Sequence, residues 1–192
     1  LYRTVTGAES VSYGLVAGAQ LAGLKMFFGG YPITPASAIL HNLVKMKEFG
    51  VTTFQAEDEI AAICAAIGAS YAGQLGVTSS SGPGIALKGE AMGLAVMTEL
   101  PLVIVNSQRG GPSTGLPTKT EQSDLLFACF GGHGDAPKVV MAAAGIEDCF
   151  YSMITARKIA ETFNMVVVVL TDANLACAQQ PFLRSRLSPD WH

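Results

Sequence analysis

The sequence predicts an α/β fold: a doubly wound, mostly parallel sheet of about six strands with helices on both faces. Two observations carry this prediction. Short β-prone runs alternate with longer helical runs along most of the 192 residues, which is the pattern of strand–helix–strand units. The strand runs are also apolar throughout instead of alternating with polar residues, as expected when a parallel sheet is covered on both faces.

The elements follow from local signals taken in chain order. A helix is expected over residues 6–24, where Thr6 and Glu9 have the spacing of a capping box. A short strand at 26–28 then runs into the segment YPITP (31–35), whose two prolines exclude a helix. The later elements are expected as helix 36–49, strand 52–56, helix 57–72, strand 76–80, turn 81–84, helix 85–98, strand 102–106, helix 122–130, strand 139–142, helix 146–163 and strand 165–170.

Periodicity is lost near the end of the chain. Residues 172–192 show no clear helical or strand pattern. We therefore expect one domain over residues 1–175, followed by a tail of unknown role over residues 176–192. A chain of this length has room for a sizeable core in one domain.

Composition excludes several classes of function. Charged residues are only 14% of the chain and hydrophobic residues 49%, which is little charge for a free-standing soluble domain, so part of the surface is expected to be buried against a partner. The net charge of −3 and the lack of a basic run argue against nucleic acid. No signal peptide and no clean apolar stretch of about 20 residues is present, so we expect a cytoplasmic protein without a membrane span.

The cysteines do not indicate a metal site. None forms a CxxC pair, and the four residues are Cys64, Cys129, Cys149 and Cys177. Buried free thiols in a reducing compartment are the expected state, and neither a metal nor an iron–sulfur cluster is expected in this chain.

Four loops define the predicted site. In doubly wound folds, ligands bind beyond the carboxyl ends of the strands. The loops expected there are rich in Gly, Pro or polar residues, and they are YPITP (31–35), the Ala56–Glu57 junction, SSSGPG (79–84) and NSQRGGPSTG (106–115). Their convergence on one edge is stronger evidence for a site than any single motif.

Glu57 is the candidate catalytic carboxylate. It opens the acidic run EDE at the start of helix 57–72, where acids commonly stabilise the helix end. The helix is almost wholly apolar and is expected to be buried, so a carboxyl group at its start would be partly desolvated. Its pKa would then rise, and it could share a proton near neutrality. We assign Asp58 and Glu59 to the helix start.

Other polar residues on this edge have two interpretations each. Arg109 precedes Gly-Gly-Pro with few acids nearby, which suits bidentate recognition of a carboxylate, although surface arginines are common. Thr34 presents a hydroxyl on a stiff loop, or makes a turn hydrogen bond. The turn SSGPG is a tight strand-to-helix connection whose backbone also faces a ligand. GxGxxG, P-loop and nucleophile-elbow patterns are absent, and His133 in GGHGD is interpreted as structural.

Five segments together resemble the α subunit of 2-oxoacid:ferredoxin oxidoreductases, with the 2-oxoglutarate-type enzymes closest. They are YPITP (31–35), QAEDEIAA (55–62), TSSSGPG (78–84), VMTELPLVIVNSQRGGPSTGLPT (96–118) and GGHGD (131–135). The resemblance covers most of residues 6–175 in the right order. It implies the pyrimidine-binding domain of the thiamine diphosphate-binding fold, and oxidative decarboxylation of a 2-oxoacid to acyl-CoA with reduction of ferredoxin.

The resemblance also implies roles for individual residues. Glu57 would bond N1′ of the aminopyrimidine ring of thiamine diphosphate. Thr34 and Arg109 would contact the carboxylate end of the substrate. The remaining residues placed beside the cofactor are Pro32, Ile33, Ser81, Gly82 and Pro83.

A partner subunit is implied as well. In this family a β subunit carries the diphosphate-binding domain, its Mg²⁺ and a [4Fe-4S] cluster, and this chain has neither a GDG-type motif nor clustered cysteines. Two alternatives stay open: the pyrimidine-binding half of a non-oxidative decarboxylase or transketolase-type enzyme, and a regulatory relative without catalysis. The presence of Glu57, Thr34 and Arg109 counts against the regulatory relative.

Overall fold

The computed structural model describes residues 2–185 and residue 188. In chain order the elements are β1 Tyr2–Thr6, α1 Gly7–Leu21, β2 Met26–Gly30, α2 Ser37–Leu43, a 3-10 helix Val44–Phe49, β3 Val51–Gln55, α3 Glu59–Tyr71, β4 Leu75–Ser80, α4 Gly82–Leu87, α5 Gly89–Met97, β5 Leu102–Gln108, α6 Leu125–Phe130, β6 Val139–Ala142, α7 Ile146–Phe163, β7 Val166–Asp172, α8 Ala173–Cys177 and β8 Gln179–Leu183.

Six strands form one parallel sheet, in the order β3-β2-β4-β5-β7-β6. The predicted fold class is confirmed. The central strands β4, β5 and β7 are buried along their whole length. This double-sided burial is why β5 and β7 begin with uninterrupted apolar runs, while the polar residues of all three strands lie towards their carboxyl ends.

Each face of the sheet has its own hydrophobic core. Helices α1, α2 and α7 cover one face, where Leu15, Ile39 and Met153 are buried. Helices α3 to α6 cover the other, around Ile63 and Ile85. The helices therefore lie on both faces, as predicted, and the carboxyl ends of the strands are left to the connecting loops.

The first helix begins at the predicted capping box. The backbone N–H of Glu9 donates to the Thr6 hydroxyl at 3.1 Å, and the backbone N–H of Thr6 donates to the Glu9 carboxylate at 2.8 Å. These bonds satisfy free donors of the first turn. The helix ends at Leu21, a few residues before the predicted boundary.

Several predicted helices are shorter or divided. The predicted helix 85–98 begins earlier, at Gly82, and is divided at Lys88 into α4 and α5. Ser81 is the cap residue before α4 and has extended backbone angles. Pro83 fits the first turn of α4 because its missing N–H is not needed there. The predicted helix 36–49 continues after Leu43 as a 3-10 helix.

A two-stranded antiparallel sheet joins the two ends of the described chain. β1 pairs with β8 from Tyr2↔Leu183 to Thr6↔Gln179, and Phe182 packs against Phe150 of α7 with ring centroids 5.6 Å apart. Part of the predicted tail 176–192 is therefore a packed strand, while residues 186–187 and 189–192 lie outside the described residues.

Large apolar side chains are exposed on the surface formed by α3, α5 and α6. Tyr71, Met97, Leu126 and Phe130 are between 72% and 82% exposed. The low proportion of charged residues is thus explained by two features: the sheet is buried, and part of the surface is apolar. In the part of the chain that the structure describes, no helix has the length and hydrophobicity needed to cross a membrane.

Candidate active site

The predicted loops start at neighbouring points of the sheet edge. β2 and β3 end side by side, with Gly30 paired to Gln55. The N–H of Ala56 then donates to the carbonyl oxygen of Gly30 at 2.9 Å. Glu57 and the YPITP segment therefore leave the sheet next to each other.

One carbonyl group, that of Thr34, connects three of the predicted loops. It accepts a hydrogen bond from Nη1 of Arg109 at 2.8 Å and one from the Ser81 hydroxyl at 3.3 Å. The single Ser81 proton is shared with the carbonyl oxygen of Ser107, which is the closer acceptor at 2.6 Å. The predicted convergence of these loops is confirmed. The hydrogen bonds that hold them together run from side-chain donors to backbone carbonyl oxygens.

Glu57 lies on the open edge, one residue before the helix cap. The cap is Asp58, whose carboxylate accepts from the N–H of Ala61 at 2.7 Å. The prediction that Glu57 is partly desolvated is wrong for this chain. Because α3 starts at Glu59, Glu57 precedes the helix and is exposed. Glu59 is the buried acid of the three, only 9% exposed.

Arg109 is a buried residue, and its interpretation as a surface arginine is wrong. It is 6% exposed, and its two terminal nitrogens donate to the carbonyl oxygens of Thr34 and Thr114, each at 2.8 Å. Its Nε has no hydrogen-bond partner. The guanidinium therefore fixes two loops through its terminal nitrogens, the atoms that the predicted bidentate contact with a carboxylate would use.

Thr34 itself is exposed, as is Pro32, while Ile33 is half-buried. The loop is fixed at Ile33, whose N–H donates to the Ser37 hydroxyl at 2.8 Å and whose carbonyl oxygen accepts from the N–H of Ser37 at 2.9 Å. The Thr34 side chain is thus presented outward on a loop with a fixed backbone.

Two glycines of the turn after β4 have opposite surroundings. A Cβ atom at Gly84 would collide with the Ser80 hydroxyl and with the side chain of Glu59. At Gly82 it would meet nothing nearer than the Asp124 carboxylate, 3.8 Å away. Gly84 is therefore required by packing, whereas the space beside Gly82 is open to a ligand.

The long loop after β5 is held in place by side-chain hydrogen bonds. Asn106 donates to the Asp124 carboxylate at 3.0 Å, and the N–H of Asp124 donates to Gln108 at 3.0 Å. Gln122 donates to Asp172 at the end of β7. The far end of the loop is thus tied back to β5 and β7, next to the point where the loop begins at Arg109.

Lys88 lies beneath this edge and is not predicted as a site residue from sequence. It is completely buried, and its Nζ donates to the carbonyl oxygen of Glu59 at 2.8 Å and to the Thr78 hydroxyl at 3.1 Å. Burial lowers the pKa of Lys88 to about 8, although the charges of Glu59, Cys64 and Asp58 act in the opposite direction and raise it. The available signal is a lysine in the middle of an otherwise apolar run, GIALKGEAMGLA.

His133 is not part of the site. It is exposed in the loop between α6 and β6, which lies at the amino end of the sheet. The site is formed at the carboxyl ends of the strands, so GGHGD is on the opposite edge.

The cysteines are free, but their burial differs from the prediction. Cys149 is buried, Cys129 is half-buried, and Cys64 and Cys177 are exposed. Burial raises the pKa of the Cys149 thiol to about 12. Within the described residues, no group of three or more His, Cys, Asp or Glu side chains is placed to hold a metal ion.

Comparison with known proteins identifies related sequences and folds. Residues 14–181 match a family described as pyruvate flavodoxin/ferredoxin oxidoreductase, thiamine diphosphate-binding. A 2-oxoglutarate oxidoreductase subunit KorA from Mycobacterium tuberculosis is 56% identical over 181 residues, covering 94% of this chain and 28% of the relative. A 2-oxoglutarate synthase subunit KorA from Archaeoglobus fulgidus is 50% identical over 158 residues, covering 82% of this chain and 45% of the relative.

A solved structure has the same fold. It is a 2-oxoglutarate:ferredoxin oxidoreductase from Magnetococcus marinus with 2-oxoglutarate, coenzyme A and succinyl-CoA bound, 44% identical with a TM-score of 0.89. The match covers 96% of this chain and 32% of that one. The chain described here thus spans between about a quarter and a half of the length of these relatives.

Proposed function

Because the chain belongs to the pyruvate flavodoxin/ferredoxin oxidoreductase family and matches its thiamine diphosphate-binding domain, we propose that it forms the pyrimidine-binding part of a 2-oxoacid:ferredoxin oxidoreductase α subunit. The proposed reaction is oxidative decarboxylation of a 2-oxoacid, with 2-oxoglutarate as the first candidate, to acyl-CoA and reduced ferredoxin. The observation that carries this proposal is the position of Glu57, exposed on the edge where the YPITP loop and the strand ends meet.

The residues on this edge fit an aminopyrimidine ring. The carboxyl group of Glu57 is free to hold a proton at the ring nitrogen N1′, since the helix cap is made by Asp58 instead. The open space at Gly82 admits a flat group beside the turn, and Pro32, Ile33, Ser81 and Pro83 complete the proposed contacts. When bound, thiamine diphosphate supplies the carbanion chemistry, while the protein supplies orientation and electrostatics.

The Ser81 contribution comes from its backbone. Its hydroxyl is already committed to the carbonyl oxygens of Ser107 and Thr34. Ser81 therefore shapes the turn that presents Gly82, and its side chain is not a free donor for a cofactor.

Thr34 and Arg109 form the proposed binding site for the substrate carboxylate. The Thr34 hydroxyl is exposed beside the edge. Arg109 fixes the Thr34 backbone and retains the unpaired Nε donor. A carboxylate there would bond the Thr34 hydroxyl and be attracted by the charge of the guanidinium, whose terminal nitrogens already donate to carbonyl oxygens.

The rest of the proposed enzyme lies on a partner. We propose that a β subunit carries the diphosphate group with its Mg²⁺ and the [4Fe-4S] cluster. It would bind at the carboxyl edge of the sheet, where Glu57 and Thr34 are exposed. Coenzyme A and ferredoxin are the other proposed partners. The exposed free thiols of Cys64 and Cys177 fit a reducing, cytoplasmic compartment.

The test uses the full-length α subunit purified with its β subunit. A panel of 2-oxoacids is assayed for ferredoxin reduction and acyl-CoA formation, with and without coenzyme A. We expect 2-oxoglutarate to be the preferred substrate and both products to depend on coenzyme A. Release of an aldehyde without ferredoxin reduction would identify the non-oxidative alternative, and inactivity towards every 2-oxoacid would favour the regulatory one.

A further inference from the structure

Lys88 is the residue under the site whose presence needs an explanation. Its side chain is fully buried, and the two oxygens that accept its hydrogen bonds, the Glu59 carbonyl and the Thr78 hydroxyl, are both uncharged. Removing an ammonium group from water is unfavourable unless the protein compensates the charge closely. A buried lysine with neutral acceptors is therefore weak evidence for a role in stability alone.

The partners of Lys88 belong to the elements that carry the site. Glu59 is the first residue of α3, two positions after Glu57. Thr78 lies in β4, and its hydroxyl donates in turn to the carbonyl oxygen of Gly29 in β2 at 2.7 Å. One ammonium group therefore connects the start of α3 with the two strands that lead into the YPITP and SSSGPG loops.

Among the described residues, the charged groups that act on Lys88 lie in α3 or at its cap. Asp58, Glu59 and Cys64 are the titratable groups that act on it, and each raises its pKa against the lowering by burial. β2, β4 and α4 contain no titratable residue, and Glu90 of α5 is exposed. Glu57, Asp58 and Glu59 follow one another directly, so their mutual repulsion acts on the backbone that sets the position of Glu57.

We propose that Lys88 is a positioning residue for Glu57: its ammonium anchors the first turn of α3 to the sheet and balances the acidic charge there. This inference rests on the proposed function, because it assigns Lys88 to the same site. A charged donor makes a stronger hydrogen bond to a carbonyl oxygen than a neutral one. Loss of the charge therefore loosens the α3 start and leaves Asp58 and Glu59 without this opposing charge.

The experiment uses the assembled enzyme with Lys88→Met, which keeps the unbranched side chain apart from its last atom and removes the charge. Lys25→Met is the matched control, because Lys25 is exposed in the turn before β2, at the amino end of the sheet. The measurements are kcat and KM for 2-oxoglutarate across the pH range around the pKa of Lys88, thermal unfolding, and hydrogen exchange of the backbone amides at the α3 start.

We expect Lys88→Met to lower kcat by about tenfold or more, the loss that corresponds to about 1.4 kcal/mol of transition-state stabilisation, with little change in KM and no loss of melting temperature. Hydrogen exchange should increase at residues 59–62 and stay unchanged elsewhere. Wild-type activity should fall above about pH 8, and the variant should lack that fall.

Two results would overturn the proposal. Wild-type kcat in Lys88→Met would remove Lys88 from the site, and a kcat loss accompanied by a lower melting temperature would make its role structural. If the wild-type complex turns over no 2-oxoacid, the proposed function is wrong. Hydrogen exchange at the α3 start then still decides whether Lys88 anchors this turn.

Discussion

Arg109 donates a 2.8 Å hydrogen bond to the carbonyl oxygen of Thr34, a residue 75 positions earlier in the chain. The same guanidinium holds Thr114 on its other side. A planar group with donors in a fixed fork is needed to span both carbonyl oxygens at once. The loop that presents the Thr34 hydroxyl therefore depends on the residue that follows β5.

We expect Arg109→Ala to lower kcat/KM for a 2-oxoacid by an amount equivalent to about 2–5 kcal/mol, since a buried cation and two loop contacts are lost together. Arg109→Lys should also be poor, because an ammonium group cannot span both carbonyl oxygens. Steady-state kinetics of the assembled enzyme measure this. Arg3→Lys, an exposed arginine near the chain start, is the control, and near-wild-type values for both Arg109 variants would remove this residue from the site.

The three adjacent acids should separate by role. Glu57→Gln is expected to abolish most turnover while leaving assembly and melting temperature intact, since Gln keeps the shape but cannot donate or hold the proton at N1′. Asp58→Asn should be mild, because asparagine is also a good helix cap, whereas Asp58→Ala should cost about 1 kcal/mol of stability.

Turnover and thermal unfolding of the three variants test this assignment. Equal activity of Glu57→Gln and wild type would contradict it. Loss of activity in Asp58→Asn alone would move the catalytic role to the neighbouring residue.

The glycines of the turn after β4 offer a matched pair. Gly84→Ala should lower the free energy of unfolding by about 1–3 kcal/mol, because its methyl group overpacks the space held by Ser80 and Glu59. Gly82→Ala should leave stability nearly unchanged, yet weaken thiamine diphosphate binding in the assembled enzyme. Denaturant unfolding and calorimetry distinguish the two, and unchanged cofactor affinity in Gly82→Ala would exclude a ligand beside this residue.

The pH dependence of stability should reveal the charge on Lys88. Its folded pKa is about 8, lowered from 10.5 by burial. Below pH 8 both folded and unfolded chains hold the proton, and burial of the charge opposes folding. Between about pH 8 and pH 10.5 the unfolded chain keeps a proton that the folded chain has lost, so the contribution of Lys88 to stability improves as pH rises.

We therefore compare the free energy of unfolding of Lys88→Met with that of the wild type at two pH values. The variant should gain stability relative to the wild type on going from pH 10 to pH 7, by up to roughly 3 kcal/mol. Cys149, whose pKa is raised from 9.0 to about 12, has the opposite effect above pH 9. It is present in both proteins, so it cancels in the comparison. Denaturant unfolding at the two pH values measures the effect, and a pH-independent difference would contradict it.

Sequence patterns predict the main sheet well because its signals are local. The apolar runs of β5 and β7, the capping box at Thr6 and the prolines of YPITP each act within a few residues. Once the strands are assigned, the convergence of the site loops can also be predicted, because the carboxyl ends of parallel strands lie on one edge of the sheet.

The remaining features depend on contacts that are distant in sequence. Burial of Lys88 and Arg109 requires partners on other elements, and a charged residue alone predicts exposure. The pairing of β1 with β8 has no local signal either, because both strands are short and β8 contains Pro181, which weakens a strand assignment. Glu57 lies outside α3 because Asp58 caps the helix. The helix therefore starts two residues later than predicted, a difference that composition does not decide.

The pairing of Tyr2–Thr6 with Gln179–Leu183 has a consequence for the order of folding. Within the described residues, β1 is synthesised before every strand of the parallel sheet and its partner β8 after all of them. The backbone donors and acceptors of β1 therefore stay without their sheet partner until nearly the whole described chain has emerged. Contacts of such long sequence range form late and slow folding, so this small sheet closes a domain whose parallel sheet is already complete.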